Sequence, residues 1–164
     1  MADRTTSSIS ITASGPAVMA VIADFAAYPQ WATAVRSAEV AARGADGRPS
    51  LVRFSLDAGM IKDSYGLSYR WDDSGVHWDL AEPGSVISAM TGGYSLAGDS
   101  RGTEVTYELS VDLRVPLPGM LKRKAEKVII DTALKGLKAR VEGLRAQATA
   151  GSTHLDQDRE EGAT

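Results

Sequence analysis

Residues 117–148 read LPGMLKRKAEKVIIDTALKGLKARVEGLRAQA, and this stretch decides how the rest of the chain must be arranged. Leu121, Ala125, Val128, Ile129, Thr132, Ala133, Gly136, Leu137, Val141, Leu144 and Ala148 recur at steps of three and four. That is the stripe of an amphipathic helix with one buried face. At 1.5 Å per residue, some thirty residues make a rod of roughly 45 Å, longer than a small domain is wide. Such a rod cannot bury its stripe against itself. Something broad must receive it, and almost everything between Thr5 and Val115 has the two-residue period of strands. The receiver is expected to be a sheet.

Upstream of the helix, the cleanest alternation is at 103–115. Val105, Tyr107, Leu109, Val111, Leu113 and Val115 share one phase, and Glu104, Thr106, Glu108, Ser110, Asp112 and Arg114 the other. Alternation this regular describes a sheet with one covered and one wet face. Further strands are expected at 6–12, 35–43, 51–58, 61–71, 76–80 and 85–96, the last interrupted by Gly92-Gly93, a bulge or a close backbone approach. Turn signals at Gly44-Ala-Asp-Gly47, Asp72-Asp-Ser-Gly75 and Glu82-Pro-Gly84 separate them. After the first strand, Ser14 is a plausible N-cap and Pro16 suits a first helical turn. Tyr28-Pro29 is expected to end that helix, because the residue before proline is pushed out of helical geometry. A short helical turn then follows at Gln30-Trp31. The whole predicts an α+β fold: a curved antiparallel sheet of six to seven strands, mostly a meander, wrapped around a long C-terminal helix, with one or two short helices after strand 1.

The 164 residues suit one domain over 5–148, with 149–164 as a disordered acidic tail. There is no cysteine, hence no disulfide framework and no thiolate chemistry. The first residues, MADRTTSSISIT, lack the apolar core of a signal peptide, and no stretch approaches a membrane span. A cytoplasmic location is the default expectation. The net charge of −3 conceals segregation. Residues 117–149 carry eight Lys/Arg against three Asp/Glu, whereas residues 1–116 carry nine against fourteen. A basic helix on an acidic sheet is first of all a solvated outer face, so no nucleic acid is expected. Peripheral contact with a membrane surface remains open.

The inward strand phases collect Phe54, Leu56, Tyr65, Leu67, Tyr69, Trp71, Val76, Trp78, Met90, Tyr94, Tyr107 and Leu109, and the helix adds Val128, Ile129, Thr132, Ala133, Gly136 and Leu137. Aromatic rings with polar tips on one surface suit an apolar pocket with a few hydrogen-bonding points. Ordinary core packing is the competing reading. Glycine inside a helix costs roughly 1 kcal/mol relative to alanine, so Gly136 on the buried face marks a close approach of the sheet or of a bound ligand, or a slight bend. Asp63 is in phase with the inward aromatics and is the one weak candidate for a general acid. His77 lies between inward-facing Val76 and Trp78 and should point to solvent, as should Arg53 and Arg70. No zinc motif, carboxylate–histidine cluster, phosphate loop or nucleophile elbow appears, so neither metal nor cofactor is expected.

The segment Phe25-x-x-Tyr28-Pro29-x-Trp31 and the order of elements resemble the START-like, helix-grip (SRPBCC) superfamily. Within it, the chain looks most like the bacterial polyketide cyclase/dehydrase and coenzyme Q-binding-like group. Asp57-Ala-Gly-Met-Ile-Lys-Asp63, Tyr69-Arg-Trp71 and Val115-Pro-Leu-Pro-Gly119 add to the likeness. The resemblance implies a cavity between sheet and helix that holds a hydrophobic small molecule: a lipid, a quinone or a polyketide-like chain. The residues expected to meet it are Trp31, Phe54, Tyr65, Tyr69, Trp71, Trp78, Met90, Tyr94, Tyr107, Ile129, Thr132, Ala133, Gly136 and Leu137. Two other readings stand beside carriage. One is a polyketide aromatase/cyclase or dehydratase. The other is a protein- or ribosome-interaction module using the basic helix face. Either a monomer or a homodimer is compatible with all three.

Overall fold

The computed structural model describes residues 4–161 other than Met60 and Ser100, with side chains described through Ala148. Among these residues the strands are β1 (Thr5–Ile11), β2 (Val35–Arg43), β3 (Pro49–Asp57), β4 (Lys62–Trp71), β5 (Gly75–Glu82), β6 (Ile87–Gly98) and β7 (Thr103–Leu113). They form a single antiparallel sheet in the order β1-β7-β6-β5-β4-β3-β2. β2 to β7 are thus an uninterrupted meander, and β1 returns to the far edge, pairing Thr5 with Leu109 and Ile11 with Thr103. The curved sheet takes a long terminal helix on its apolar face, as the sequence pattern requires. Edge strand β2 has register shifts at three places, in keeping with its weak alternation. In β6 the irregularity falls between Ile87 and Ala89, and the ladder runs straight through Gly92 and Gly93. Close approach, by backbone as well as side chains, explains both glycines. A Cβ on Gly92 would lie 2.7 Å from the Trp78 ring and from the Glu108 carbonyl oxygen, and one on Gly93 would lie 2.6 Å from His77 Nδ1 and 3.0 Å from the Val76 carbonyl oxygen.

Between β1 and β2 the chain forms α1 (Gly15–Ala23), a 3-10 turn (Phe25–Ala27) and α2 (Tyr28–Trp31). Ser14 caps α1, its hydroxyl accepting from the Ala17 N–H at 3.3 Å, with Pro16 in the first turn. Helix α1 ends at Ala23, ahead of the expected stop at Tyr28, and Tyr28 itself is helical at φ −51°, ψ −43°. The preference imposed by Pro29 is a bias that packing overrides. The Tyr28 hydroxyl donates to the Ile22 carbonyl, and its ring lies between Phe25 and Trp31, at 4.8 and 4.7 Å. Pro29, at the start of α2, has no N–H to leave unpaired.

The long helix is α3 (Gly119–Glu161). The expected boundary at residue 148 and the acidic tail beyond it concern residues whose side chains lie outside those described. The buried line of α3 differs from the expected stripe. Ala125, Glu126, Ile129, Ile130, Leu134, Leu137 and Val141 are buried, whereas Leu121, Val128 and Leu144 are 39%, 49% and 41% exposed. The reason is where α3 sits. It packs mainly on β1, β7, α1 and α2, at one flank of the sheet rather than along its middle. Glu126 is drawn inward because the sheet offers it donors. Val111 lies past the end of β1, so its N–H, without a strand partner on that side among the described residues, donates to Glu126 Oε2 at 2.7 Å. Thr5 Oγ1 donates to Glu126 Oε1 at 2.8 Å. Gly136 completes the seat. Its missing Cβ leaves room for the backbone carbonyl of Trp31 in α2, which any side chain would overlap.

The sign of a glycine-to-alanine change on α3 should therefore depend on position. Gly143 has open space where a Cβ would go, so Gly143→Ala should stabilise by about 0.5–1 kcal/mol through helix propensity. Gly136→Ala gains the same propensity but must push α2 away, and overpacking of this kind costs about 1–3 kcal/mol. Urea denaturation midpoints of the two variants should move in opposite directions; parallel shifts would contradict the close contact.

Candidate functional site

Because α3 occupies the β1–β7 flank, the inward aromatics of β3 to β7 are only partly covered. The remaining space is a cavity of about 70 Å³ between the concave face, α2, the start of β2 and one side of α3. Phe54, Leu56, Tyr65, Leu67, Tyr69, Trp78, Met90, Tyr94, Tyr107 and Leu109 form its floor and walls, with Tyr28, Trp31, Ala32, Ala34, Val35, Ile129, Thr132 and Ala133 across from them. At roughly 10–15 Å³ per water, this is room for on the order of five waters.

The rings form one connected array. Tyr69 and Trp78 are 5.7 Å apart between centroids, Trp78 lies 5.5 Å from both Tyr94 and Tyr107, and the latter two meet edge to face at 4.6 Å. Phe54 stacks on Tyr65 at 5.8 Å, and Phe25 wedges against Tyr69 at 4.9 Å. The Trp78 ring can lie flat across β6 because Gly92 has no side chain.

The polar tips are the unusual part. Tyr28 spends its hydroxyl on the Ile22 carbonyl. Among the described residues, no hydrogen bond reaches the hydroxyls of Tyr65, Tyr69, Tyr94 or Tyr107. Trp31 Nε1 is the one fully buried side-chain polar atom without a partner among the described residues; the four hydroxyls, which also lack one, still reach accessible space in the cavity. An unmade hydrogen bond on a buried group costs about 1–3 kcal/mol. Burial pushes all four phenols well above the ordinary tyrosine range, and their mutual proximity adds to this for Tyr65, Tyr69 and Tyr94. They are therefore neutral near pH 7, able to donate and not poised to act as bases. None of the residues lining the cavity is Asp, Glu, His, Lys or Arg.

Of the fourteen residues expected to meet a ligand, eleven line this cavity and three do not. Trp71 lies on the far side of Phe25 and Tyr69. Its indole donates to the Pro49 carbonyl at 2.7 Å, and the Arg48 guanidinium lies 6.0 Å from its ring. Strand phase alone does not reveal that this end of the meander passes beyond the cavity. Gly136 faces the α2 backbone, and Leu137 is fully buried in the core. Beyond the expected fourteen, Leu56, Leu67 and Leu109 line the cavity from the inward strand phases, and Tyr28, Ala32, Ala34 and Val35 line it from outside them, although Tyr28 sits in the aromatic segment that carries the family resemblance. Val76 is core and Val128 is exposed. His77 points outward, 3.8 Å from Asp72, and Arg53 and Arg70 pair outside with Glu82 and Asp79.

Asp63 is also outside the cavity. It shares the phase of Tyr65, but it stands at the start of β4, where the chain between β5 and β6 closes over it. Its Oδ2 accepts from the N–H groups of Ile87 at 2.8 Å and Val86 at 3.0 Å, and Oδ1 from the Ser85 N–H at 3.0 Å. Gly84 makes the room, since a Cβ there would overlap the carboxylate. Partial burial works against the charge, but the N–H groups of Ile87, Val86, Ser64 and Ser85 outweigh it and hold the carboxyl below its usual range. Asp63 is an anionic staple of the β5–β6 connection.

An antiparallel sheet gripping a terminal helix over an aromatic cavity defines the helix-grip class, START-like in architecture. Residues 2–142 match the family model described as polyketide cyclase / dehydrase and lipid transport, and the chain belongs to that family. Among solved structures, a START superfamily protein from Mycobacterium smegmatis superposes with a TM-score of 0.80 at 23% identity, over 86% of this chain and 98% of that one. The Zhui aromatase/cyclase from a Streptomyces species gives 0.72 at 14% identity, over 87% and 94%. A protein from Thermus thermophilus, TTHA0849, gives 0.72 at 24% identity, over 87% and 99%. At these identities the likeness is one of fold. No functionally curated sequence matches the chain. Among the described residues no helix is long and apolar enough to cross a membrane.

Asp63→Asn removes the charge but keeps the size, and should lower stability by about 1–3 kcal/mol at pH 7. The carboxyl of the folded state ionises below the unfolded value of about 3.9, so its contribution is complete above that value and is lost as pH falls through the folded one. Wild-type and variant unfolding curves should therefore converge in acid. A gap that stayed constant from about pH 7 to about pH 3 would remove the staple role.

Proposed function

We propose that this protein binds a small apolar molecule that carries oxygen acceptors (a quinone, a polyketide-like ring system or an oxygenated lipid), and holds it in the cavity between β3–β7 and α3. The observation that carries this reading is the set of four tyrosine hydroxyls at the cavity without hydrogen bonds among the described residues. A purely structural core would have filled these positions with phenylalanine, which avoids the cost of an unsatisfied polar group. Water can satisfy the hydroxyls in the empty cavity, and a carbonyl or hydroxyl oxygen of a ligand can replace that water. The rings supply the apolar contact area.

At about 70 Å³ the cavity is a narrow slot. A fused ring enters by displacing Met90, an unbranched and adaptable side chain, and by spreading the partly exposed rim at Ala34 and Val35 from Thr132 and Ala133. Binding is favoured over the cyclase or dehydratase reading by the lining itself. Aldol cyclisation and dehydration need a group that removes a proton. Here the only titratable lining groups are phenols held neutral by burial. The tyrosines can polarise a carbonyl; they cannot complete the acid–base pair.

Trp31 and Trp78 line the cavity and report on it by fluorescence. Titration with 1,4-naphthoquinone should give saturable quenching at one molecule per chain. Tyr69→Phe or Tyr107→Phe should weaken the quinone about five- to tenfold, the equivalent of one net hydrogen bond of about 1–1.5 kcal/mol, and leave naphthalene unchanged. Ala133→Phe, which fills the slot, should abolish both. Absence of saturable binding, or equal losses for quinone and naphthalene in the tyrosine variants, would overturn the reading.

A further inference from the structure

The cavity rim continues into a surface that a solution-only binding protein does not need. Four large apolar side chains near the start of α3 face solvent: Val115 is 79% exposed, Met120 82%, Leu121 39% and Val128 49%. Val128 is one helical turn before Thr132, which lines the cavity, and Leu121 stands on the same face two turns earlier. The row therefore leads along α3 to the side of the helix that closes the slot. Cations are interleaved with it. Residues 114–128 hold Arg114, Lys122, Arg123, Lys124 and Lys127 against a single carboxylate, Glu126, which is buried. Lys122 pairs with Asp112 at 3.3 Å and with Glu126 at 3.8 Å, Lys127 pairs with Asp131 at 3.1 Å, and Arg114 donates to the Gly84 carbonyl; the cations still outnumber these three carboxylates, so the face stays net positive.

We infer that this face docks on an anionic lipid bilayer, and so sets the mouth of the cavity against the membrane surface. Exposed aliphatic side chains among lysines and arginines are the chemistry of an interfacial helix face. The apolar groups enter the headgroup boundary while the cations meet lipid phosphates and carboxylates. A nucleic acid would use the cations but leave Val115, Met120 and Val128 in water, and it would favour aromatic stacking partners that this face lacks. Docking is separable from what the cavity holds, because none of the four apolar side chains lines the cavity.

The test is sedimentation of the full chain with vesicles of phosphatidylcholine alone or with about 30% phosphatidylserine. The expected result is binding to the anionic vesicles at low salt that falls at least about tenfold at high salt and with neutral vesicles. Val115→Ser combined with Met120→Ser and Val128→Ser should reduce the partition coefficient by about tenfold or more, as should Lys124→Glu with Lys127→Glu. All five positions are exposed, and thermal melting by circular dichroism checks that the variants fold. Quinone titration without vesicles should be unchanged in both variants, so loss of docking with intact quenching isolates this surface from the cavity. No binding to anionic vesicles at low salt, binding that ignores both variants, or binding to an RNA oligomer but not to vesicles would each overturn the inference.

Discussion

The position of α3 on one flank of the sheet is the constraint from which the rest follows. Polar contacts and one close approach seat it there: Glu126 satisfies a β7 N–H beyond the Thr5 end of β1, Lys138 and Arg145 donate to the Ser10 and Thr12 carbonyls, and Gly136 admits the Trp31 carbonyl of α2. A helix laid along the middle of the concave face would have buried Tyr65, Tyr69, Trp78 and Tyr94 directly. Seated to one side, it leaves their faces opposite the short α2 and the loop into β2. That arrangement covers them loosely. The cavity is what remains when a wide curved sheet meets a helix that covers part of it.

The lining of that space is set apart by its polar groups. Five tyrosines converge on a region with no ionisable carboxylate, imidazole or amine in its lining, and only Tyr28 satisfies its hydroxyl within the described residues. In a low-dielectric surrounding each hydroxyl interacts strongly with any acceptor that arrives and is costly without one. The same burial raises the phenols far from their ordinary titration range, so the site presents fixed donors across the physiological pH span. Such a lining combines apolar rings with several hydroxyl donors.

Much of this is legible in the sequence because the two periods are unambiguous. Thr103–Leu113 alternates in sequence along its whole length, with only Ser110 of the wet phase buried, and its inward phase places Tyr107 and Leu109 in the cavity wall. Period alone cannot give depth along a strand. Asp63 and Trp71 share the phase of Tyr65 and Tyr69, yet they stand at the two ends of β4, beyond the cavity in both directions. Nor can the helix stripe be aligned without its partner. The three-four pattern takes in Val128 and Leu144 but not Ile130, Leu134 or Glu126, because it does not show that α1 and α2 add a second surface to the seat. The buried glutamate has no signal of its own among the many charges of residues 117–149. Its donor, an edge N–H of β7, exists only once the strands are ordered.

The exposed end of α3 and the cavity are linked by helical geometry. At 3.6 residues per turn, Leu121, Val128 and Thr132 lie within about 40° of one another around the helix, so the exposed row and one edge of the cavity wall share a side. Ile129, Thr132 and Ala133 line the cavity, while Leu121, Lys124 and Val128 beside them face solvent. One helix thus carries three surfaces: a buried edge held by Glu126 and Gly136, a cavity wall, and an outer face that mixes aliphatic groups with cations. The first determines the second by leaving it uncovered. The third begins one helical turn from Thr132 but contributes no side chain to the cavity lining, so the wall and the outer face are adjacent yet distinct.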